Sequence, residues 1–128
     1  VVDTAGGLVV ETCSGITALV LCFFVGPRTK EGDEADPARA ILHIIGGALL
    51  WVGWLAFNGG SAYTTGARAS MTMLNTFLAG SAGSLGWFIT AAMCDMGLQH
   101  VNSTFHLVGG AISGLVAATP SSGYVSPL

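Results

Sequence analysis

An all-α, polytopic transmembrane helical bundle is the fold class that this sequence predicts, and three observations predict it. Of 128 residues, 52% are apolar and only 9% are charged, where a soluble domain carries roughly 25% Asp, Glu, Lys and Arg. Those few charges are confined to short stretches, leaving long uncharged gaps. None of the gaps carries a charged stripe of helical period, which the outer face of a soluble bundle would need. A mean hydropathy of +0.69 points the same way. The composition excludes a disordered chain, a basic nucleic-acid-binding surface and a disulfide-framework domain.

The gaps define the elements. A hydrocarbon core roughly 30 Å thick takes about 20 apolar residues of helix, which gives four spans within residues 1–128, at about 6–26, 40–59, 71–94 and 103–119. The first loop, from Gly26-Pro27-Arg28 to Asp36-Pro37, is closed by prolines and holds most of the charge. Arg28, Lys30 and Arg39 flank it against Arg68 alone beyond the second span, so the positive-inside rule places this loop in the cytoplasm. Shorter loops are expected at 59–66 and at 95–102, the latter with a solvated His100. Val1 is not the start of a signal peptide, since no basic n-region precedes the apolar run. The chain reads as the middle of something longer.

Nineteen glycines are about twice the usual share. Ala79-Gly80-Ser81-Ala82-Gly83 and Gly110-Ala111-Ile112-Ser113-Gly114 place small residues four apart inside spans. Lipid provides no hydrophobic force between helices, so small residues serve close backbone approach and van der Waals packing. The three cysteines, Cys13, Cys22 and Cys94, have no metal or redox spacing. Nothing calls for a cofactor, and no constellation reads as an enzyme's.

Some residues are costly where they stand. An acid at the centre of a membrane helix costs about 2.5–3.5 kcal/mol on insertion scales, and Glu11 lies inside the first span. Asp3 fits a cap at the outer helix end, accepting from orphan backbone N–H groups. In Trp51-Val52-Gly53-Trp54-Leu55-Ala56-Phe57-Asn58-Gly59-Gly60-Ser61-Ala62, three aromatic residues fall on one helical face near a span end. That pattern fits an interfacial aromatic belt. It also fits a cation site, with ring faces attracting a small cation by roughly 0.5–2 kcal/mol each and Ser61 accepting a hydrogen bond. His43 and His106 lie in spans and read as packing or helix-end residues.

Asp3-Thr4-Ala5-Gly6-Gly7-Leu8-Val9-Val10, the run Gly53 to Ala62, and Gly110 to Val116 followed by Thr119-Pro120-Ser121-Ser122-Gly123-Tyr124 together resemble three blocks of the Amt/Mep ammonium transporter family, in family order and spacing. The resemblance covers nearly the whole chain and corresponds to the fifth to eighth helices of an eleven-helix subunit. It implies a plasma-membrane homotrimer with ammonium as substrate and the lipid bilayer as surroundings. It implies that ammonium loses its proton and that ammonia crosses a hydrophobic pore. Asp3 matches the structural aspartate near the outer vestibule, Trp54 a pore-wall tryptophan, Phe57 one of two gating phenylalanines, and Ser61 the serine of the outer ammonium site. Glu11 stands where most members carry the first of two pore histidines, although some fungal members have Glu there. Thr4 replaces the usual aromatic residue and Ile41 a common proline. The second gating phenylalanine, the outer-site tryptophan and the second pore histidine are not in these residues, so the alternative expectation is a non-conducting helical module or an ammonium sensor.

Overall fold

The structure, a computed structural model, describes residues 2–27, 37–94 and 101–126, and for residues 101–103 the backbone only. The charged part of the first loop, His100 with its neighbours, and both chain ends lie outside the described residues. Among the described residues four helices follow one another: α1 (Gly7–Val25), α2 (Pro37–Gly60), α3 (Ala67–Met93) and α4 (Val101–Ala118). Short 3-10 turns stand before α1 (Thr4–Gly6) and after α4 (Thr119–Ser121). No strand occurs among the described residues.

Two helix starts lie earlier than the uncharged gaps indicate. Pro37 is the first residue of α2 rather than the last of the loop, a position that suits proline because the first N–H of a helix has no partner to lose. Likewise α3 begins at Ala67 and takes Arg68 into its first turn. Hydropathy marks membrane depth, whereas helical hydrogen bonding continues beyond it. By length and composition, Thr4–Val25, Pro37–Gly60 and Ala67–Met93 are apolar enough to cross a membrane.

Among the described residues the helices α3 and α4 pack most closely, and glycine is the reason. A Cβ added at Gly110 would lie 2.5 Å from the Gly83 carbonyl oxygen and 2.6 Å from Trp87 Cβ. One added at Gly83 would meet the Gly110 carbonyl oxygen and lie 2.8 Å from Gly114 Cα. The two small-residue motifs therefore face each other, and backbone meets backbone between them. Leu115 and Ala111 are buried on α4 and Ala91 on α3. Against this, α1 carries an apolar coat, with Leu8, Val9, Ile16, Leu19, Phe23 and Phe24 all exposed. Such a surface suits lipid or further helices rather than water.

Candidate functional site

The start of α1 is built by a turn of unusual backbone. Ala5 (φ 59°) and Gly6 (φ 67°) are both left-handed, a region that glycine enters freely and alanine only at a cost. The turn carries Asp3 back over the helix end, where its Oδ1 accepts a hydrogen bond from the Leu8 N–H at 3.0 Å. One orphan donor at the helix N-terminus is thereby satisfied. Thr4, also in the turn, is buried, and its Oγ1 accepts from the Gly123 N–H at 3.1 Å. Gly7 sits against Thr119 and Pro120, with no room for a side chain: an added Cβ would lie 2.7 Å from Thr119 Cγ2. The two ends of the described chain are joined here.

The end of α2 faces this junction. The Trp54 and Phe57 rings meet edge to face, with centroids 6.4 Å apart, a favoured aromatic geometry. One turn on, the Ser61 hydroxyl donates to the Phe57 carbonyl oxygen at 2.7 Å. A serine hydroxyl has one proton, so with it committed Ser61 can only accept from anything else. A cavity of about 440 Å³ opens beside these residues, lined among others by Asp3, Thr4, Phe57, Ser61, Arg68 and Tyr124. The Arg68 guanidinium lies over the Tyr124 ring, 4.5 Å from its centroid, which holds this cation by its interaction with the ring.

Behind the aromatic pair lies a buried polar network. Trp54 Nε1 donates to Thr119 Oγ1 at 2.7 Å, and Asn58 Nδ2 donates to Thr76 Oγ1 at 3.0 Å and to Thr119 Oγ1 at 3.3 Å. Each threonine sends its own proton to the carbonyl four residues back, Thr119 to Leu115 and Thr76 to Thr72, both at 2.7 Å. Both hydroxyls thus present only lone pairs to Asn58, and this fixes which way its amide points. Asn58, Thr76 and Thr119 are fully buried. Asn58 Oδ1 and Trp51 Nε1 have no hydrogen-bond partner among the described residues.

Asp3, Phe57 and Ser61 thus line one cavity, with Trp54 behind Phe57. Glu11 does not share it. It lies one turn further along α1, half-buried, in a smaller cavity of about 270 Å³ with Gly7, Leu8, Thr12, Val116, Ala117 and Pro120. Trp51 does not line the cavity either: its ring covers Gly80, 2.7 Å from where a Cβ would stand, and tilts against Phe77. His43 stacks at 4.4 Å on Phe105, and His106 Nδ1 accepts from Trp87 Nε1 at 3.2 Å, so both are helix–helix contacts. Sequence reasoning missed Asn58, Thr72, Thr76 and Thr119. The available signal was one pair of threonines four residues apart, Thr72 and Thr76, which share a helical face; nothing local marks Asn58 or Thr119. Among the described residues no three His, Cys, Asp or Glu side chains gather to hold a metal ion.

Residues 1–128 match the sequence profile of the Ammonium Transporter Family over their whole length. The chain is 43% identical to ammonium transporter 2 of Schizosaccharomyces pombe, covering 99% of this chain and 24% of that protein. It is 41% identical to the ammonium transporter of Bacillus subtilis, covering 98% and 30%, and 39% identical to ammonium transporter 1 of Dictyostelium discoideum, covering 98% and 27%. The crystal structure of Saccharomyces cerevisiae Mep2 superposes with a TM-score of 0.77 at 35% identity, over 98% of this chain and 27% of Mep2. The chain spans about a quarter of the length of the curated relatives it matches. Together with the three long apolar helices, these likenesses make it a multi-pass membrane protein.

Proposed function

Because this chain belongs to the ammonium transporter family, we propose that residues 1–128 supply central helices of an ammonium pore, with α4 as a fourth membrane crossing. At about 1.5 Å per residue, the 18 residues of α4 extend roughly 27 Å, near the thickness of a bilayer core. The whole transporter is then a homotrimer in the plasma membrane, each subunit with its own pore.

The observation that carries this reading is the cavity that gathers Asp3, Phe57 and Ser61 at one end of α1 and α2. An unpaired cation moved into a dry lumen costs tens of kcal/mol on an idealised Born estimate. A phenyl face and one hydroxyl replace only part of the water shell. Ser61, its own proton committed to Phe57, offers lone pairs that suit the N–H groups of ammonium. Ammonium binds at this mouth and gives up its proton to a water molecule there, and ammonia crosses the apolar lumen past Trp54 and Glu11. Asp3 has a different task, fixing the turn on which the mouth is built. Potassium has no proton to give up, so the lumen rejects it.

The test is uptake by a full-length transporter carrying residues 1–128, expressed in cells that lack their own ammonium transporters. Growth on low ammonium with no gain in potassium uptake is the expected result. Failure to take up ammonium, with the protein present in the plasma membrane, would overturn the reading.

A further inference from the structure

We infer that Thr119 is a positioning residue, whose hydroxyl fixes the indole of Trp54 and the amide of Asn58 in one orientation. The inference rests on the reading of Trp54 as part of a pore wall and deepens it. A threonine hydroxyl can donate once and accept twice, and that of Thr119 does all three. It donates to the Leu115 carbonyl, and it accepts from Trp54 Nε1 and Asn58 Nδ2. Its methyl group, on the other side, lies against Gly7. One fully buried side chain thus touches the start of α1, the end of α2 and the last turn of α4, and Asn58 extends the link to Thr76 on α3.

The arrangement is directional. The i−4 carbonyl takes the only proton of Thr119, so its lone pairs are left facing α2, where both partners are donors. Rotating the indole would strand the N–H of a half-buried side chain, and turning the Asn58 amide over would set its oxygen against two acceptors. Either change leaves a hydrogen-bonding group without a partner, which the fold disfavours. Trp54 also supports Phe57 edge to face, so an indole fixed by Thr119 sets the ring at the cavity wall.

Thr119→Val keeps the shape and removes the hydroxyl, whereas Thr119→Ser keeps the hydroxyl and removes the methyl group. The first readout is the Trp54 indole N–H in the purified full-length protein, followed by nitrogen-15 NMR with its assignment taken from Trp54→Phe. In Thr119→Val this signal should shift and exchange with solvent at least tenfold faster, and in Thr119→Ser it should stay near the wild-type position. An unmoved signal in Thr119→Val overturns the inference, and so does an equal shift in the two variants. The second readout is ammonium uptake per molecule at the surface. Thr119→Val should lower it severalfold in the wild-type background and much less in Trp54→Phe, since coupled residues are non-additive. Equal losses in both backgrounds would mean that Thr119 acts other than through Trp54. If Trp54→Phe itself takes up ammonium like wild type while the indole signal responds as expected, Trp54 leaves the pore and the positioning by Thr119 stands.

Discussion

The carboxylate of Asp3 reaches the backbone N–H of Leu8, five residues on, because Ala5 and Gly6 fold the intervening chain into a left-handed turn. An ordinary N-cap serves the second or third N–H beyond it. The longer reach leaves Thr4 free to enter the interior and accept from Gly123, so one acid sets both the helix start and the closure of the chain. Asp3→Ala should therefore destabilise the protein by about 0.5–2 kcal/mol, the usual worth of a cap. Asp3→Asn, which can still accept, should cost less. Thermal unfolding of the detergent-solubilised full-length protein measures both, and equal midpoints for Asp3→Ala and wild type would contradict the capping role.

The seam between α3 and α4 gives a second prediction. A Cβ at Gly83 would be driven into the Gly110 carbonyl oxygen, with backbone on every side and no flexible side chain to give way. Gly86, one turn along the same helix, has nothing within 4 Å of an added Cβ. Gly83→Ala should separate the helices and lower the unfolding midpoint by several degrees. Gly86→Ala should match wild type or exceed it slightly, because alanine is favoured over glycine inside a helix by about 1 kcal/mol. Comparable melting of the two variants would show that close approach is not what holds this pair.

The helices and the glycine seam were legible in the sequence because each is written in local spacing. Charge gaps of membrane length locate the helices, and small residues four apart identify the faces that meet. Arg68 illustrates the limit. As a charge it separates two uncharged gaps and falls outside the span expected at 71–94, yet it lies in the first turn of α3 and rests on Tyr124. The polar network was not legible for a different reason. Asn58 and Thr119 are 61 residues apart, and Thr4 and Gly123 are 119 apart. A threonine near a span end looks like any interfacial residue until its partners are brought to it. Of the candidate site, Asp3, Phe57 and Ser61 converge on one cavity, whereas the separate placement of Glu11 follows from the packing of α1 on Pro120, which spacing along the chain does not reveal.

Ser61 is the most direct handle on the proposed mouth. Its hydroxyl is held by the Phe57 carbonyl with its lone pairs open to the cavity. Ser61→Leu removes the acceptor and fills space, and should cut ammonium uptake several-fold in the full-length protein. Ser121→Leu is the matched control: Ser121 is exposed, and its hydroxyl donates to the Ala118 carbonyl in its own turn. It should lose less. Uptake by Ser61→Leu equal to wild type would remove Ser61 from the site.

The proposed passage of ammonia past Glu11 can be tested at that residue. Glu11 stands one turn beyond Gly7 in a cavity of its own, walled by Leu8, Val116, Ala117 and Pro120, and these side chains bring no titratable group. In a full-length transporter its partner must come from other helices, and the resemblance implies a histidine across the lumen. A carboxyl group can hydrogen-bond such a partner and exchange a proton with it, as a second imidazole would, although with a different proton affinity. Glu11→Gln keeps the shape and most of the hydrogen bonding and cannot exchange a proton. It should lower ammonium transport or flatten its pH dependence. Glu11→His should restore transport with a shifted pH optimum. Glu11→Leu should impair it by leaving the partner's polar group unpaired in a dry lumen, at a cost of about 1–3 kcal/mol. Uptake measured from about pH 5 to pH 8, the range in which an imidazole changes charge, separates these outcomes. If the Gln, His and Leu variants all follow the wild-type curve, Glu11 is an acid that the membrane tolerates, and no proton passes through it.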